Sequence, residues 1–170
     1  IVDGTIIKKY QVPIDMVDEL NQEYDKRKQF LTSSGKKLAG RLDTELNIID
    51  FLPKLQIYNK INFLIQDYIM TLNNFGLLSK PQIKTQIISC WINDMKEGEY
   101  NPVHVHNGPT NHGWSCVLFL KVPEFINDVK HEHKFRDGQL CFLGHDRKVM
   151  WHEPQVGDFY LFQANQPHTV

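Results

Sequence analysis

The stretch Asn101-Pro102-Val103-His104-Val105-His106 decides how the rest of the chain is read. Alternate residues of a strand point to one face, so a strand over these positions brings the rings of His104 and His106 to one ion. Texture on either side fits a strand. From Pro81 onward the chain is a series of β-rich runs: Ile83 to Asn93, Pro102 to His106, Trp114 to Val122, Gln139 to Leu143, Val149 to Trp151 and Asp158 to Phe162. Gly98, Asn107-Gly108, Asp137-Gly138 and Gly157-Asp158 punctuate them where turns are needed. Several short strands in succession, with no helical pattern between them, predict a sandwich or barrel and disfavour a parallel α/β fold.

Towards the N-terminus the periodicity changes. Thr5 to Val12 reads as a short strand, and after Pro13 the residues Ile14, Val17, Leu20 and Tyr24 recur at helical spacing. Thr32 to Thr44 is small and polar and reads as a loop. A second helix is predicted from Asp50 as cap, through Pro53 in its first turn and an apolar series from Leu55 to Phe75, to Gly76 as its stop. The expected fold class is α+β, mainly β. It is a double-stranded β-helix (a jelly roll, or cupin-like barrel) with two N-terminal helices packed on one face. With 170 residues, 41% of them hydrophobic, the chain suits one domain, helical over about 1–80 and β over about 81–170. It begins without methionine and stops two residues after His168, so a truncated C-terminus is expected.

Composition narrows the function classes. Nineteen basic against 20 acidic residues leave no basic stripe for nucleic acid or an anionic membrane. No apolar run is long enough for a membrane span or a signal peptide. Cys90, Cys116 and Cys141 are odd in number and far apart, which suits buried reduced thiols and a cytoplasmic location. The partner expected is a small-molecule or peptide substrate; oligomeric state is not legible.

All eight histidines lie at or beyond position 104. His131-Glu132-His133 sits among charges and reads as solvated loop, His112 falls in a Gly/Pro/Asn loop, and His145 and His152 border a turn and are expected at the surface. His168 is different. It follows the aromatic run Gly157-Asp158-Phe159-Tyr160-Leu161-Phe162 and the turn Gln163 to Pro167, as a late barrel strand does when it returns a third ligand to the mouth.

Taken together, Trp91-x-Asn93, Asn101 to His106, Ser115-Cys116-Val117-Leu118-Phe119-Leu120 and Gly157 through Phe162 to His168 resemble the 2-oxoglutarate and Fe(II) dependent oxygenases, relatives of the prolyl 4-hydroxylases. The resemblance spans roughly positions 83 to 170. It implies a dioxygenase that hydroxylates a peptide side chain or small molecule. Its cofactors would be Fe(II), with 2-oxoglutarate as cosubstrate, and His104, His106 and His168 would be the metal ligands and catalytic centre. In that superfamily the metal is usually held by His-x-Asp or His-x-Glu plus a distal His. His106 stands where the carboxylate belongs, which implies either three histidines or a carboxylate from elsewhere, the nearest in sequence being Asp94, Glu97, Asp146 and Asp158. Relatives also place an Arg or Lys beyond the distal His to pair with the far carboxylate of 2-oxoglutarate. Here Asn93, Tyr160 and Lys121 are the candidates for holding the cosubstrate, against the plainer roles of a strand-end backbone partner, a core aromatic and a solvated lysine.

Two other readings share the barrel. The cupin motifs match in part, but the glutamate expected after His106 is replaced by Asn107-Gly108-Pro109-Thr110. A cupin-like metal enzyme that does not use 2-oxoglutarate is therefore the alternative enzyme. A non-catalytic barrel that binds a ligand or partner is the alternative outside enzymes.

Overall fold

A computed structural model describes residues 5–33, 40–78, 83–106, 113–124, 136, 138–144 and 148–170. The chain divides into two compact units, Tyr10–Tyr100 and the pair of segments Ile1–Lys9 with Asn101–Val170.

In the Tyr10–Tyr100 unit, α1 (Ile14–Arg27) buries Val17, Leu20 and Tyr24 at helical spacing, while Ile14 at its start faces solvent. The second helix starts later than its cap signal predicts. Leu52–Lys54 closes a tight 3-10 turn around Pro53, and the extended backbone of Leu55 interrupts the run before α2 (Gln56–Asn74) begins. The Glu19 carboxylate on α1 accepts the Gln56 N–H at 3.0 Å, serving the orphan donor that Asp50 was expected to serve. At the far end Gly76 adopts φ +68, and the Leu77 N–H bonds back to the Leu72 carbonyl at 3.0 Å, closing the helix as a left-handed cap. Ile57, Ile61, Leu64, Tyr68 and Leu72 make the buried stripe of α2, and the two helices pack on each other.

The expected strand Ile83 to Asn93 contracts to its last three residues. β3 (Trp91–Asn93) pairs antiparallel with β2 (Glu45–Asn47), setting Leu46 opposite Ile92, and residues 83–90 carry no ladder. Strand β2 follows directly on the polar loop and has no sequence signal of its own.

The other unit holds the rest of the β-structure. β1 (Lys8–Gln11) begins in it and lies beside β7 (Asp158–Gln163), which pairs antiparallel with β4 (Trp114–Leu118) in the order β1-β7-β4. A second sheet has the order β6-β5-β8, with β5 (Leu140–Leu143) antiparallel to both β6 (Val149–His152) and β8 (His168–Thr169). The central strands β7 and β5 are buried on both faces, which is why their sequences read as continuous apolar runs rather than alternation. Leu140, Phe142, Tyr160 and Phe162 form the core between them, flanked by Val117, Phe119 and Met150. The fold is thus mixed helix and antiparallel sheet.

The thiols differ from expectation: Cys141 is buried, but Cys90 is half-buried and Cys116 exposed, and none forms a disulfide. Among the described residues no helix is long and apolar enough to cross a membrane.

Candidate metal centre

The segment from Asn101 to His106 does not form the regular strand its alternation predicts. It runs antiparallel to the chain's end through an interrupted ladder. His104 and His168 exchange backbone hydrogen bonds at 3.0 and 3.1 Å, Asn101 pairs with Val170, and the His106 N–H donates to the Ala164 carbonyl at 2.8 Å. Pro102 has no N–H to contribute and sits between the first two pairings, so the ladder slips there and only the bridge His104↔His168 is regular. Alternation survives the slip. Val103 and Val105 are exposed, while the three imidazoles gather on the opposite side.

The imidazole centroids lie 4.3 Å apart for His104 and His168, 5.0 Å for His104 and His106, and 5.2 Å for His106 and His168. One nitrogen from each falls within 4.8 Å of the others, a spread that small ring rotations bring to metal–nitrogen bonds of about 2 Å. Two of the rings are fixed from behind. His104 Nδ1 donates to the Pro102 carbonyl at 2.7 Å, and His168 Nδ1 donates to the Gln166 carbonyl at 2.9 Å. A carbonyl only accepts, so each Nδ1 carries the proton and each Nε2 keeps its lone pair for a metal. Gln166 is itself buried, its amide donating to the Leu143 and Pro167 carbonyls at 2.8 and 3.1 Å. Burial pushes the His168 imidazole down to about 4 and also lowers His106, which keeps both neutral, the form that ligates. The donor set therefore fits a borderline divalent ion such as Fe(II).

His168 is more than a projecting ligand. It is 2% exposed, packs on Phe162 at 4.7 Å and sits opposite Phe142 across the β5-β8 ladder. Phe142 in turn meets Phe162 at 4.9 Å and His152 at 5.7 Å. The aromatic run of β7 carried a signal for this floor; the carbonyls of Pro102 and Gln166 carried none, because a backbone acceptor has no residue type.

The candidate cosubstrate residues separate. Tyr160 is fully buried among Phe119, Phe142 and His152, and burial raises its phenol. Lys121 is exposed just beyond β4. Asn93 belongs to the Tyr10–Tyr100 unit, where its Oδ1 is buried without a hydrogen-bond partner among the described residues. Of the alternative carboxylates, Asp94 accepts the Tyr24 hydroxyl at 3.2 Å, Glu97 is exposed, and Asp146 lies outside the described residues, as do His112, His131, His133 and His145. Asp158 is 1% exposed but turned away from the centre. Its Oδ2 takes the Lys9 ammonium at 2.7 Å and the Gln155 N–H at 2.9 Å. His152, expected at the surface, instead packs against Phe142 and Tyr160 with Nε2 buried. Replacing Asp158 with alanine strips the Gln155 N–H and Lys9 of their acceptor. Because Lys9 is half exposed and rehydrates, the expected loss is moderate, about 1–3 kcal/mol in urea unfolding, without loss of bound metal.

Residues 89–170 match the family described as "Putative 2OG-Fe(II) oxygenase". That stretch, a little under half of the chain, is similar to the 2OG-Fe(II) oxygenases. Fe(II) and 2-oxoglutarate are the cofactors that this family's description names, and the match favours such an enzyme over the cupin-like and non-catalytic readings. Among solved structures, the chain is similar to a Pseudomonas putida prolyl-4-hydroxylase at a TM-score of 0.65 and 17% identity, over 98% of this chain and 85% of that one. At such identity the likeness establishes the shared fold. No curated protein matches the chain.

Proposed function

We propose that His104, His106 and His168 hold Fe(II) at the mouth of a double-stranded β-helix, and that the protein hydroxylates a peptide side chain or a small molecule. The observation that carries this is the convergence of three imidazoles, two of them locked by backbone carbonyls with Nε2 free. The similarity to one prolyl-4-hydroxylase chain along nearly the whole length supports a single oxygenase-like domain with that barrel. Bound together, Fe(II) and 2-oxoglutarate supply the oxidation of a C–H bond by dioxygen, the cosubstrate leaving as succinate and carbon dioxide.

The chain's own residues do the placing. His104 and His168 are set before any ion arrives, and Phe142 and Phe162 beneath them keep water from the inner side of the centre. Tyr160, whose hydroxyl donates to the Asp158 carboxylate at 3.5 Å, is the buried candidate for holding a cosubstrate carboxylate; Lys121 and Asn93 are the polar candidates outside the aromatic core. The near-neutral charge and the absence of a membrane-length helix among the described residues support a soluble, cytoplasmic enzyme that binds neither nucleic acid nor membrane.

Fe(II) loaded anaerobically, followed by oxygen and 2-oxoglutarate, is expected to yield succinate in the absence of added substrate, and none after His104→Ala. Succinate that forms equally without Fe(II), or in the variant, would refute the assignment.

A further inference from the structure

The donor set of the candidate metal centre carries no negative charge among the described residues. Among the described residues, His104, His106 and His168 are the one group of three or more ligating side chains that converges, and Asp158, on the neighbouring β7, is committed to Lys9 and Gln155. Protons on Nδ1 of His104 and His168 mean that these rings ligate as neutral imidazoles. A divalent ion held this way keeps its full double charge, where a set of two histidines and one carboxylate leaves it a single one. On the side of His168, which is almost wholly buried, less water is available to screen the added charge than on the side of the half-buried His104 and His106.

We propose that the open metal positions of this centre form a site for a small monoanion, a halide or a carboxylate group, and that His106 is the residue that creates it. The inference rests on the metal ligation assigned above. A monoanion bound beside the dianionic cosubstrate brings the centre to the net charge that a protein carboxylate gives the usual one. It also takes a position that dioxygen needs, so the anion holds the enzyme in check until it is displaced.

The test is binding, read without turnover. Protein loaded with Co(II) is titrated with azide and followed by its visible absorption, for the natural chain and for His106→Asp and His106→Asn. The two variants have nearly the same shape and differ by one charge. Saturable azide binding is expected in the natural chain and the Asn variant, weakened about tenfold or more in the Asp variant. Parallel titrations with chloride and acetate tell a free halide from a carboxylate as the natural ligand. Equal azide affinity in the Asp and Asn variants overturns the proposal. So does Co(II) uptake by the natural chain with no spectral response to azide, which needs no variant to fold. Failure of the natural chain to take up Co(II) overturns the metal assignment itself, and is thereby distinguishable.

Discussion

His168→Ala is expected to abolish stoichiometric Fe(II) uptake and also to lower the stability of the apoprotein. The first effect follows from losing one of three ligands, and should exceed the 10–100-fold typical of losing only a residue that orients a ligand. The second follows from position. The ring is 2% exposed, packed on Phe162 and Phe142, and its Nδ1 proton serves the Gln166 carbonyl. Its removal leaves a cavity and an unpaired acceptor, together costing about 2–4 kcal/mol. His104→Ala separates the two effects, because His104 is only half-buried: the same loss of metal, with a smaller loss of stability. Metal analysis after gel filtration, with urea titrations of the apoproteins, reads both. One iron per chain retained in each variant would remove these residues from the metal site.

Phe142→Ala has the largest effect expected on the fold. Phe142 is fully buried on β5, faces His168 across one ladder and Met150 across the other, and touches Phe162, Tyr160 and His152. No neighbour can close the space without leaving its own strand position, so the cost is at the upper end for a large-to-small change, about 3–5 kcal/mol. For a chain of this size that lowers the thermal midpoint by roughly 6–20 °C. Metal affinity should fall with it, since His168 loses the surface that fixes its ring. A thermal midpoint within two or three degrees of the parent, about what 1 kcal/mol produces, would show that the aromatic floor does not pack as described.

Residue type and spacing revealed what depends on them. The apolar series of α1 and α2 is intrinsic to those segments, and the strands β4 to β7 were legible because an apolar run between turn residues has few other fates. The convergence of the His pair with the distal His was legible for the same reason: what converges is a set of side chains. What stayed hidden depends on partners distant in sequence. β2 exists because β3 pairs with it, and the start of α2 is fixed by Glu19 from another helix. His152 looked like a surface residue because its burial comes from Phe142 and Tyr160, not from its neighbours in the chain. Trp91, more often a core residue in a strand, is 37% exposed, because β3 is short and belongs to a two-stranded sheet.

The slipped ladder at Pro102 has a consequence for how the protein reaches its active form. His104 and His168 are sixty-four positions apart, and the segment joining them to one another is held by a handful of backbone bonds at the very end of the chain. Closing so long a loop is entropically expensive and comes late in folding. An ion shared by the two rings would act as a reversible cross-link over that gap, part of its binding free energy going into fastening the two segments to each other. Iron supply would then govern conformational maturation as well as chemistry, and a chelator is expected to loosen the pairing of His104 with His168 before it disturbs the rest of the β-structure.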